Sequence, residues 1–108
     1  MSTGRSSTED AEVKRSFADL EIVWESSKNR ANQKKHKVSF EEAASVFFDP
    51  LALTIDDPDH SSSERRFISI GQSLKWRLLV VSYAERGTIR IINARTPTKS
   101  ERQAYEED

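Results

Sequence analysis

The stretch KNRANQKKHK, residues 28–37, holds five basic side chains (Lys28, Arg30, Lys34, Lys35, Lys37), a histidine at position 36 and no acid. A polar helix of that charge is either a solvated face or a surface that holds a polyanion. An imidazole at its end can take or give a proton at neutral pH, so His36 is the acid–base candidate. It equally fits a helix-end histidine that binds the last carbonyls and the helix dipole. Lys28 and Lys35 can line the same site, although lysine on a polar helix is ordinarily just solvated. Arg77 and Arg95 are the candidates for phosphate contact, because a planar guanidinium donates two parallel hydrogen bonds. Each equally fits a nearby carboxylate. Arg90 lies mid-strand, where it also fits a solvated edge. Trp24 reads as a core anchor. Trp76, at an expected turn, reads as an exposed residue of a partner surface.

Other chemistries are poorly supplied. The 108 residues contain no cysteine, which removes disulfides, thiolate metal sites and cysteine nucleophiles. Two distant histidines and a DDPD loop do not give metal-ligand spacing, so no metal or other cofactor is expected. His60 reads as a surface loop residue. Gly4, Gly71 and Gly87 are isolated, so no glycine-rich phosphate loop exists. The formal charge is -1, but it is unevenly spread. Residues 61–95 carry seven basic groups against two acids, while residues 38–60 carry six acids and no Lys or Arg. Such asymmetry permits contact with nucleic acid. No apolar run reaches the ~20 residues that cross a bilayer. The first residues lack the apolar core of a secretory signal. The expectation is a soluble, cytoplasmic protein with no membrane partner.

These side chains need elements to position them. Residues 1–19, rich in Ser, Thr and acids, read as a disordered extension, and residues 20–108 as one domain. LEIVW (Leu20–Trp24) predicts a strand and residues 26–35 a helix with only Ala31 clearly apolar. Ser39 and Glu42 form a capping-box pair with Val38 at the staple position. Phe40, Ala43, Val46 and Phe47 then recur at helical spacing, up to the stop at Asp49-Pro50. Strands are predicted at LALTI (51–55), RFISIG (66–71), RLLVVSYA (77–84) and TIRIINA (88–94), with a hairpin at ERGT. That hairpin would bring Arg77 and Arg95 to one end of the sheet. Thr98 and Glu101 cap a last helix over residues 98–106. The fold class is α+β: a twisted antiparallel meander with N-terminal helices and a C-terminal helix.

Three stretches in this order, KNRANQKKHKVSFEEAASVFFDP, DPDHSSSERRFISIG and RLLVVSYAERGTIRIINARTPTKSERQAYEE, resemble the BrnT family of bacterial type II toxins. The likeness spans roughly residues 22–107. It implies a fold similar to RelE-like ribonucleases and metal-independent cleavage of RNA that arrests growth. It also implies neutralisation by a ribbon-helix-helix antitoxin, BrnA, which supplies the contact with operator DNA. By this resemblance His36, Arg77, Arg95 and Glu101 are the catalytic candidates. Lys28, Lys35, Arg90 and Tyr105 are the RNA-binding ones. Glu101 and Tyr105 also have structural readings, in the capping box and in ring packing on the sheet. Three positions depart from the family pattern. Lys37 stands where glycine is usual, Glu25 where aspartate is, and Asn93 where serine is.

RNA cleavage by its own 2′-hydroxyl needs a base, an acid for the leaving 5′-oxygen, and cations for the phosphorane charge. The rival reading is a non-catalytic module that binds nucleic acid or an antitoxin. It would bind without cutting, with affinity falling steeply with salt.

Overall fold

A computed structural model describes residues 11–17, 19–57 and 64–107. His60 and the serines around it lie outside the described residues, as does everything before Ala11. The elements in chain order are β1 (Glu12–Phe17), β2 (Leu20–Glu25), α1 (Ser26–His36), α2 (Phe40–Ala44), a 3-10 turn (Ser45–Phe48), β3 (Leu53–Asp56), β4 (Arg65–Gln72), β5 (Leu78–Glu85), β6 (Ile89–Arg95) and α3 (Lys99–Glu107). One six-stranded sheet has the order β1-β2-β6-β5-β4-β3. No helix among the described residues is long and apolar enough to cross a membrane.

The meander from β3 to β6 is antiparallel, as the strand pattern predicts. The sheet as a whole is mixed, because β2 joins β6 in parallel (Ile22↔Ile89, Val23↔Arg90). Strand β5 is buried on both faces. On one side Ile22, Trp24, Leu79, Val81, Ile91 and Ala94 pack against Val38, Phe40, Ala43, Ala44 and Val46. Trp24 and Phe40 meet edge to face at 6.2 Å. Strand alternation turns Leu78 and Val80 to the other side, where they are buried as well.

Two regions differ from the sequence reading. Glu12–Phe17, expected to lie outside the fold, pairs with β2 along its whole length. Among the described side chains of this strand, Val13 packs against the core. Backbone hydrogen bonding at the sheet edge makes the strand, and an apolar pattern search does not register that. The second helix tightens after Ala44 into the 3-10 turn. Ser39 Oγ accepts the Glu42 N–H at 3.0 Å, but the Glu42 carboxylate goes elsewhere, so only half of the expected capping box forms.

Candidate functional site

Helix α1 has almost no apolar face, and Asn32 is its buried residue. Its docking is polar. Asn32 Nδ2 donates to the carbonyls of Ala94 (2.8 Å) and Val38 (2.9 Å), and its Oδ1 accepts the Ala94 N–H at 3.1 Å. Strand β2 pairs with β6 only as far as Arg90 before the chain turns into α1. Asn32 therefore supplies Ala94 with the two bonds that a neighbouring strand would give. Asn29 adds a further tie, accepting the Phe40 N–H at 2.8 Å. Helix α1 ends at Lys37, in the left-handed region at φ 62°, with its N–H on the Gln33 carbonyl. This is a position that favours glycine.

Docked this way, α1 and β6 enclose an open cleft of about 230 Å³ lined by Lys28, Asn32, Lys35, His36, Ile92 and Asn93. The structure thus brings together Lys28, Lys35 and His36. The His36 imidazole is half-buried. Lys28 Nζ lies 3.9 Å from Glu25, and its side chain is mostly exposed.

The predicted arginines stand apart from that cleft. Val80 opposes Arg95 in the register, three residues in from Arg77, so both lie at one end of the sheet. They occupy opposite faces. Arg77 turns to α2 and forks onto Glu42 at 2.7 and 2.8 Å, and it also donates to the Lys37 carbonyl at 2.9 Å. Ser73 Oγ donates to the same carboxylate at 2.7 Å. Arg77 holds the Glu42 carboxyl below its usual range; burial opposes this and Ser73 assists it. Arg95 shares the face of Val80 and forks onto Glu101 at 2.8 and 2.9 Å. Glu101 also completes the capping box: it accepts the Thr98 N–H at 2.9 Å, and its own N–H donates to Thr98 Oγ1 at 3.2 Å. Arg95 pulls the Glu101 carboxyl down to about 2, against burial and with help from Thr98.

Tyr105 donates to Asp49 Oδ2 at 2.6 Å, and that bond, followed by burial, pushes its hydroxyl up to about 12. Asp49 also accepts the Leu51 and Gln72 N–H groups. With no buried residue of its own, α3 is held by Arg95 at its start and by Asp49 near its end. Arg90 lies at the other end of β6 and pairs with Glu12 at 2.7 Å, beside a separate crevice that includes Glu64 and Arg86. Trp76, with its backbone at φ 63°, is 82% exposed in the β4–β5 turn, and Trp24 is fully buried.

Asn32 is the residue that sequence reasoning missed, while Glu42 and Asp49 read from the sequence only as a helix cap and a helix stop. An asparagine inside a helix carries one usable signal: it is disfavoured there unless its amide has a tertiary partner.

A cationic helix held against β6 of a mixed sheet defines a small α+β protein with an open cleft lined by lysine and histidine. The family model of the ribonuclease toxin, BrnT, of type II toxin-antitoxin systems matches residues 24–101. The chain belongs to the BrnT family. No curated protein matches it.

Proposed function

We propose that this toxin is a metal-independent endoribonuclease whose substrate backbone lies in the cleft between α1 and β6. The observation that carries this reading is the convergence of Lys28, Lys35 and His36 on one wall. The lysines hold phosphate as point charges, and His36 exchanges the proton of the 2′-hydroxyl or of the leaving 5′-oxygen. The substrate supplies its own nucleophile. Arg95 lies two residues beyond Asn93 on β6. It reaches phosphate by sharing its fork with Glu101. Arg77 acts one step back, fixing the turn immediately after His36 through the Lys37 carbonyl. Glu101 and Tyr105 hold α3 rather than transfer protons, as values near 2 and 12 leave both unsuited to exchange at neutral pH. Arg90 belongs to a second contact surface at the far end of the strand.

Type II membership implies an antitoxin partner. We assign that role to a BrnA-like ribbon-helix-helix protein that binds operator DNA for the pair, with both acting in the cytoplasm. A non-cleaving binding module is the second reading, favoured by the engagement of both Arg77 and Arg95 with carboxylates.

Incubation of purified protein with total RNA in EDTA, beside His36→Ala and Arg95→Ala prepared identically, tests the proposal. Cleavage by the wild type alone, with an all-2′-deoxy oligonucleotide left intact, is the expected result. Silence from folded wild type, or cleavage of the deoxy substrate, overturns it.

A further inference from the structure

The β5–β6 register pairs Ser82 with Asn93 and Tyr83 with Ile91, which leaves Ile92 as an extra residue on β6. In a regular strand, successive side chains point to opposite faces. At this bulge Ile92 and Asn93 both line the cleft that faces Lys28, Lys35 and His36. Bulges re-aim side chains in this way, often beside active sites. The neighbouring amide, Asn32, is consumed by Ala94 and Val38. The Asn93 side chain is exposed and makes no hydrogen bond among the described residues.

We infer that the Ile92–Asn93 bulge is a base-reading subsite, with Asn93 as the specificity-determining residue and adenine as the base it takes. The inference rests on the proposal that RNA binds in this cleft. Phosphate contacts from lysine fix position and carry no sequence information, so selectivity has to come from groups that touch base edges. Asn93 offers two donors and an acceptor. Asparagine is the residue that pairs with the N6 and N7 edge of adenine through two hydrogen bonds. Ile92, half-buried beside it, gives the base an apolar face to lie on. At about 230 Å³ the cleft is smaller than the ~300–1,000 Å³ of pockets that enclose a ligand. It is a shelf for one splayed-out base of a single strand, which is how RNA sequence is ordinarily read.

The test is fluorescence anisotropy of labelled 2′-O-methyl oligo(A) and oligo(U), which cannot be cleaved, on the full-length protein, Asn93→Ala and Lys35→Ala. The wild type should bind oligo(A) about tenfold more tightly than oligo(U). Asn93→Ala should remove that preference, and Lys35→Ala should weaken both probes alike. Thermal melts establish that each variant is folded, and Asn93 is exposed, so its loss spares the core. Equal binding of both probes by the wild type, or a preference that survives Asn93→Ala, overturns the subsite even if the protein cuts RNA. An Asn93-dependent preference in a protein that cuts nothing upholds the subsite and removes the ribonuclease reading alone.

Discussion

Arg77 and Glu42 are bound fork to fork, Nε to Oε2 at 2.8 Å and Nη2 to Oε1 at 2.7 Å. The carboxylate is the buried partner, with a side chain only 3% exposed against 37% for the guanidinium. Removing the arginine strands a buried charge. Arg77→Ala should lower unfolding stability by about 2 kcal/mol, below the cost at a fully buried pair because the arginine is partly solvated. Urea denaturation checks this. Loss of RNA cleavage in the variant at temperatures where it stays folded would mark a role in the site, as expected if Arg77 positions the turn after His36. Cleavage that tracks the folded fraction would mark a structural one.

Arg95→Ala should leave the sheet intact and reduce RNA cleavage about 10²-fold, the scale of losing one preorganised donor to developing charge. The comparison is single-turnover cleavage beside the thermal melt of the same preparation. Near-wild-type cleavage would remove Arg95 from the site.

The Glu101 carboxyl lies at about 2 in place of 4.5. The unfolded chain therefore binds a proton more readily, and stability falls with pH. The contribution of Glu101 is fully present above about 4.5 and is lost as pH drops toward 2. Glu42, lowered in the same direction, adds to that acid sensitivity. Denaturation midpoints followed from pH 6 to pH 3 should fall less steeply for Glu101→Gln than for the wild type.

Tyr105 gives the opposite sign at high pH. Its hydroxyl is raised from 10.0 to about 12, so the stability from its bond to Asp49 is present below 10 and lost as pH rises toward 12. Tyr105→Phe should cost about 1.5–3 kcal/mol, the worth of a hydrogen bond to a charged group. It should keep cleavage within about threefold if the residue only holds α3. A tenfold or larger loss of cleavage would restore Tyr105 to the chemistry.

Lys37 holds the left-handed cap of α1 at φ 62°. Lys37→Gly should stabilise the fold by about 1 kcal/mol, because glycine adopts this conformation without a Cβ clash. A lower melting temperature would show that the Lys37 side chain contributes more than the strain it imposes.

What could be read from the chain follows from which forces shape each part. Helix α2 and the turn after it announce themselves, since Ser39 caps the helix and Phe40, Ala43 and Val46 recur as buried residues. The four meander strands are equally plain. Helix α1 is legible as a helix but its docking is not, because Asn32 bonds to a backbone 62 residues away. Strand β1 is held by main-chain bonds, and the parallel seam between β2 and β6 is a tertiary choice with no local signal. Half of the cleft was visible as the run of Lys28, Lys35 and His36. The other half depends on one inserted residue, Ile92, whose effect exists only once β5 pairs beside it.

The same seam bears on how the toxin is made. Strand β6 slots between β2 and β5, so α1 leaves the ribosome long before the strand it will face. Until residues 89–95 emerge, the core lacks Ile91 and Ala94 and the cleft lacks its second wall, and ordering such distant segments is a slow, late event in folding. A nascent or prematurely ended chain carries the cationic helix alone. If the cleft is where RNA is cut, activity arises only with the finished chain, and the antitoxin of the type II pair has until then to meet it.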